Sequence, residues 1–289
     1  MSTDAPIIDD YLEAKYTPLP FFFVLWRSIL VSLVVSTSVY FILGHYYADQ
    51  TWTEFEQAGC VPDCYCEAIN DEAFCRQPAN GFSSLTFGLT AVYIVSMNVN
   101  GSMKKSKLGA IFVFASIVFL IGLGSSAYHC MLTLTAERID GISMHFISTY
   151  IATFSVMKLL CVLFSPTGLK QFHTKFMTWY SLIAALVIVY NLEIIRWGRL
   201  TWTILIICLF ISIASEILFS IAQQEWPSVH FVLALAFLGF SYVVWELDRH
   251  GVACDPHSWF QLHGIWHVGL AVSLISLHHH YAGVRDKAW

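Results

Sequence analysis

An all-α bundle of membrane-spanning helices is the fold class this sequence predicts. Three observations predict it. Of 289 residues, 57% are hydrophobic and only 12% are charged, where a soluble domain carries roughly 25% charged residues. Eight separate runs are apolar over about the ~20 residues a helix needs to cross the hydrocarbon. Aromatic residues reach 16%, with 10 Trp and 13 Tyr, which suits belts at the two membrane interfaces. The net charge of −5 gives no basic face, so nucleic acid is excluded as a partner.

The eight runs are 20–43, 81–98, 108–130, 139–164, 175–192, 200–222, 228–247 and 261–282. The second is the weakest, because it opens on polar Gly81, Ser83 and Ser84. Residues 1–19 are acidic and polar, unlike a cleavable signal peptide. They read as a cytosolic segment, and 20–43 then reads as a genuine first span. Connections are short except for 44–80, a polar loop rich in cysteine. No internal repeat divides the chain, so one bundle is expected, with 283–289 as a cytosolic tail.

Orientation follows from the loop cations. With the N-terminus inside, one side holds Lys15, Lys104, Lys105, Lys107, Lys170, Lys175, Arg285 and Lys287, with Arg27 and Lys158 at the same helix ends. The other holds Arg76, Arg138, Arg196, Arg199 and Arg249. The bias puts both termini in the cytosol. Cys60, Cys64, Cys66, Cys75 and Cys254 then fall in outer loops, where disulfides persist. Cys130, Cys161 and Cys208, in or at the ends of spans, read as reduced packing residues. A zinc knuckle built from the first four cysteines is the rival reading, but their spacing fits no common finger. The sequon at Asn100 lies in the lysine-rich loop, where it would go unused.

Ionisable groups at membrane depth mark a functional site by default. His263 and His267 stand four apart in HGIWH, on one helix face, a spacing that lets two imidazoles share a metal. The third run ends on the same outer side as the eighth begins, which brings His129, in GLGSSAYH, to similar depth. Three neutral histidines leave one position of a tetrahedral Zn2+ open to water. Asp140 starts the next run and is placed to orient that water and accept its proton. Ser125 shares a face with His129, where its hydroxyl can bond the water or a developing oxyanion; a covalent serine is the weaker alternative, since the metal would occupy its base. His145 reads as a partner of the site or a plain helix contact. His278, His279 and His280 read as an interfacial cluster, and Glu216 as an acid at mid-membrane.

The set Ser125-SAY-His129, Asp140 and His263-GIW-His267 resembles the alkaline ceramidase family and its wider superfamily, which includes adiponectin/progestin-type receptors and GPI-lipid-remodelling membrane proteins. GSSAYHCMLTLTAERIDGISM, WELDRHGVAC and CYCEAIN…QPANGFSSLTF carry the likeness to the ceramidases, over roughly residues 60–282. The resemblance implies a seven-span core over 81–282, with 20–43 as an added span. It implies zinc on His129, His263 and His267, with Ser125 and Asp140 beside its water, and a Cys66–Cys254 disulfide. The implied activity is hydrolysis of ceramide, or a related N-acyl lipid, to a sphingoid base and a fatty acid. A receptor of the same fold, or a structural and lipid-holding subunit meeting other membrane proteins through 20–43, are the alternatives. The family's calcium site is matched here by Cys64, Ile69 and Gln77, with only Glu67 left as a weak residual ligand, so calcium is not expected. An ER or Golgi membrane follows from the resemblance and the outer cysteines.

Overall fold

The computed structural model describes residues 52–99, 105–164, 176, 178–186 and 201–287. These are helical with connecting loops. The helices are α1 (Pro78–Ser83), α2 (Leu85–Val99), α3 (Lys105–Met131), α4 (Leu134–Phe164), α5 (Thr201–Gln223), α6 (Val229–Arg249) and α7 (Leu262–Lys287). A further helical stretch covers 178–186. The expected span at 20–43 lies outside the described residues. Among the described residues four helices are long and apolar enough to cross a membrane: Gly109–Met131, Leu134–Phe164, Thr203–Gln223 and Val229–Arg249. α2 falls short on length, and the histidines of α7 lower its apolar character.

The expected run 81–98 is two helices, not one. Pro78 suits the first turn of α1 because its ring fixes φ and its missing N–H would have no partner there. At the other end the hydroxyls of Ser83 and Ser84 both donate to the carbonyl of Asn80, at 2.8 and 3.0 Å. Such bonds compete with the helix ladder, and the chain restarts at Leu85. The free amides at the start of α1 are met by a distant residue. Glu67 accepts from Ala79 N–H at 2.7 Å and from Asn80 N–H at 2.8 Å, one with each carboxylate oxygen. Glu67 is therefore spent on a helix start, which a negative charge favours. Burial holds its carboxyl above the ordinary value of 4.5, while the two amide bonds pull it down. A carboxyl raised on folding stabilises most when protonated, so its contribution falls as pH rises above about 4.5. Glu67→Gln is expected to flatten that part of the pH–stability curve, measured by chemical unfolding between pH 4 and 7 (a range spanning about 3 units).

The helices pack in the order α5, α4, α3, α2, α7, α6, with α1 wedged between α3 and α7. That wedge lies against both helices that carry site histidines. α3 and α4 meet closely because Gly124 has no side chain. A Cβ there would lie 3.1 Å from the Asp140 Cα and 3.3 Å from the Ile139 carbonyl oxygen. Since backbone cannot step aside cheaply, Gly124→Ala is expected to cost about 1–3 kcal/mol and to displace Asp140. Chemical unfolding and substrate turnover of the same variant would check both effects.

Three disulfides tie the segment before α1 to itself, to the α6–α7 loop and to the end of α3: Cys60–Cys64, Cys66–Cys254 and Cys75–Cys130. Cys130 is thus not a reduced packing residue. The segment before α1 runs alongside the end of α3, with Arg76 N–H donating to the Cys130 carbonyl at 3.0 Å and Gln77 N–H to the His129 carbonyl at 3.1 Å. That pairing brings the two sulfurs together, and sequence distance hid it. Cys161 and Cys208 are buried.

At the far end of the bundle, Lys158 on α4 forms an ion pair with Glu216 on α5. His280 on α7 bonds the same carboxylate at 2.9 Å. Lys158 and Glu216 are each 1% exposed. Lys158 therefore does not belong among the loop cations that orient the chain. His278 and His280 at the same end of the bundle are buried as well.

Candidate metal centre

Two helix ends and the short wedge build the site. α3 delivers His129 in its last turn, and α7 delivers His263 and His267 in its first two. The start of α7 is fixed by Asp248, whose carboxylate accepts from His263 N–H and from Cys66 N–H, both at 3.2 Å. The Cys66–Cys254 bridge and an Ala68 N–H to Pro256 carbonyl bond of 2.9 Å hold the same corner. Asp248 enters the sequence analysis only within WELDRHGVAC, and its bond to the start of α7 was not legible there because its partner His263 lies 15 positions on.

The three imidazoles converge. One ligand atom from each lies within 4.8 Å of the others. Nε2 of His129 and Nε2 of His263 are 3.1 Å apart, close to the roughly 3.3 Å between two nitrogens on one tetrahedral zinc. All three residues are buried, at 1–3% exposure. Among the described residues this is the one group of three or more His, Cys, Asp or Glu side chains arranged to hold a metal ion.

The surrounding side chains bear on whether a cation fits. Ser83 Oγ lies 2.7 Å from His267 Nδ1, and Gln77 Oε1 lies 3.0 Å from His129 Nδ1. Both outward nitrogens are engaged, which leaves both inward nitrogens for a ligand, as in metal-bound histidines generally. Nδ1 of His263 has no partner among the described residues. The Tyr65 ring covers that imidazole instead, with centroids 3.9 Å apart. A buried nitrogen triad with two of its three outward nitrogens engaged suits a borderline divalent cation.

Ser125 is buried, 3.3 Å from His267 Nε2 and 2.9 Å from the Ser84 hydroxyl. It therefore sits against an inward donor. Asp140 is adjacent but separate. Its backbone presses on Gly124, and among the described residues its carboxylate bonds neither Ser125 nor the histidines. The Tyr65 phenol, whose ring covers His263, is pushed above its usual value by burial first and by the Asp140 charge next.

Residues 71–286 match the family model described as Ceramidase. This chain belongs to the ceramidase family. No curated protein matches it. The family match covers His129, His263, His267, Ser125 and Asp140. It also covers Gln77 and Ser83, which the sequence reading passed over as site residues. Gln and Ser are common polar residues, and no spacing rule ties them to histidines 52 and 184 positions away, respectively. In this ceramidase-family chain their role is visible only once α1 is seen lying between α3 and α7.

Proposed function

We propose that this protein is an intramembrane zinc-dependent amidase that hydrolyses ceramide, or a related N-acyl lipid, to a sphingoid base and a fatty acid. The observation that carries the reading is the buried triad of His129, His263 and His267 with Ser125 against it, in a chain of the ceramidase family. When bound to the triad, zinc supplies a Lewis acid and lowers the pKa of its water to about 7. Asp140 takes the proton from the attacking water and returns it to the departing amine, so that a C–O bond forms as the C–N bond breaks. Ser125 donates its hydroxyl to the charge that develops on the amide oxygen. The exclusion of water by the wedge helix and by Tyr65 strengthens each of these interactions.

In this reading a seven-span core covers 81–282 and the span 20–43 is an addition, with residues 1–19 and 283–289 in the cytosol. The loop 44–80 and the zinc site face the other side of an ER or Golgi membrane, consistent with the three disulfides. The substrate then enters from the bilayer between helices.

The test uses the full chain purified in detergent, with zinc measured per mole and ceramides supplied in mixed micelles. Equal amounts of sphingoid base and fatty acid are expected by mass spectrometry. A zinc-loaded, folded protein that releases neither from ceramides nor from other N-acyl lipids would overturn the amidase reading in favour of a lipid-holding role.

A further inference from the structure

Gln77 is fully buried and bonded at both ends of its amide. Its nitrogen donates to the Glu67 carbonyl at 2.9 Å. A carbonyl can only accept, so this bond fixes which way the amide points. Its oxygen is thereby the atom facing His129 Nδ1 at 3.0 Å. An amide oxygen can only accept, so Nδ1 must carry the proton and Nε2 must present its lone pair. Ser83 imposes the same logic on His267. Its hydroxyl hydrogen is donated to the Asn80 carbonyl at 2.8 Å, which leaves the oxygen to accept from His267 Nδ1 at 2.7 Å. Both chains of bonds start from backbone carbonyls of the 67–80 segment.

We propose that Gln77 is a positioning residue of the metal centre, which locks His129 in the Nδ1–H tautomer and aims its Nε2 lone pair at the metal position. Ser83 does the same for His267. The proposal rests on the zinc reading for its consequence but not for its geometry. Its anchor is the segment pinned by Cys75–Cys130, by the Gln77 N–H bond to the His129 carbonyl, and by Glu67 on the α1 amides. Lead-in loop and ligand therefore move as one unit. Residues that orient a metal-bound histidine this way are worth 10–100-fold in metal affinity.

Two substitutions separate positioning from mere support. Gln77→Met and Gln77→Glu both remove the donor to the Glu67 carbonyl. Only Gln77→Met removes the acceptor for His129. Zinc affinity of the full chain, measured by chelator competition, is expected to fall about 10–100-fold in Gln77→Met and to stay within a few-fold of wild type in Gln77→Glu. Equal losses in both would mean that Gln77 only holds the loop, and no loss in Gln77→Met would mean that it does nothing for the site. Either result overturns the proposal. Should a variant not fold, the wild type decides the matter. Nitrogen-15 histidine spectra of the zinc-free protein are expected to show His129 protonated at Nδ1, and an Nε2–H tautomer there would overturn the assignment. A wild type that binds no zinc would remove the amidase reading, while the tautomer would still test Gln77.

Discussion

Replacing His267 with alanine is expected to leave purified protein without zinc and to reduce ceramide turnover to background. Asp140→Asn is expected to keep zinc and lose about 10²–10⁴-fold in turnover, the range for removing a general base. The two variants differ because the two side chains differ in place. His267 is inside the triad, engaged at Nδ1 by Ser83 and facing Ser125 at Nε2. Its loss leaves two donors and puts the hydroxyls of Ser83, Ser84 and Ser125 around an emptied space, which water can fill. Two histidines without the third do not make a closed set for zinc. The fold should survive, because disulfides and Asp248 fix the start of α7 independently of the His267 ring. Among the described residues Asp140 bonds no triad nitrogen, so its amide isostere takes nothing from the metal. Zinc retained in His267→Ala would dissolve the triad as the metal site. Near-normal turnover in Asp140→Asn would remove Asp140 from the chemistry and leave Ser125 as the next residue to examine.

Much of the site was legible from the sequence because it is written in short-range spacing. His263 and His267 need only the helix period, and the pairing of His129 with them follows from counting spans. The helices within the described residues were legible because apolar length is the dominant signal in a membrane chain. What was not legible depends on long-range contacts among unremarkable residues. The break at Ser84 needs two hydroxyls to turn back on Asn80. The Cys75–Cys130 bridge needs the lead-in segment to lie along α3. Lys158 and Glu216 looked like a helix-end cation and a stray acid, since nothing local to either sequence position indicates the other, 58 residues away. Glu67 looked like the remnant of a cation site and is bonded as a helix cap. In each case the residue type was noticed, and its partner was the missing quantity.

Glu216→Ala is expected to destabilise the bundle by about 3–5 kcal/mol, the cost of stripping one partner from a buried ion pair. Glu216 gathers three helices. Its Oε1 accepts from the Ser155 hydroxyl at 2.8 Å, and its Oε2 takes Lys158 and His280. Ser155 also meets the Tyr281 hydroxyl at 3.0 Å, and His280 Nδ1 meets Ser228, the N-cap of α6, at 2.7 Å. Among the described residues, removing the carboxylate leaves the buried Lys158 ammonium with the Phe219 ring, 4.0 Å away, to offset its charge. A cation–π contact is worth about 2 kcal/mol at best when desolvated, less than the loss. The double change Lys158→Met with Glu216→Leu should recover most of the stability, because replacing a buried pair by apolar residues of similar size is often neutral or favourable. Unfolding by denaturant in detergent micelles, with a double-mutant cycle across 158 and 216, measures both statements. The readout that separates this cluster from the metal centre is zinc content. Residues 263 and 280 are about 25 Å apart along α7, so folded Glu216→Ala should still bind about one zinc per chain. A loss below about 1 kcal/mol would match an exposed pair, and would mean that water reaches Lys158 instead of being excluded from it.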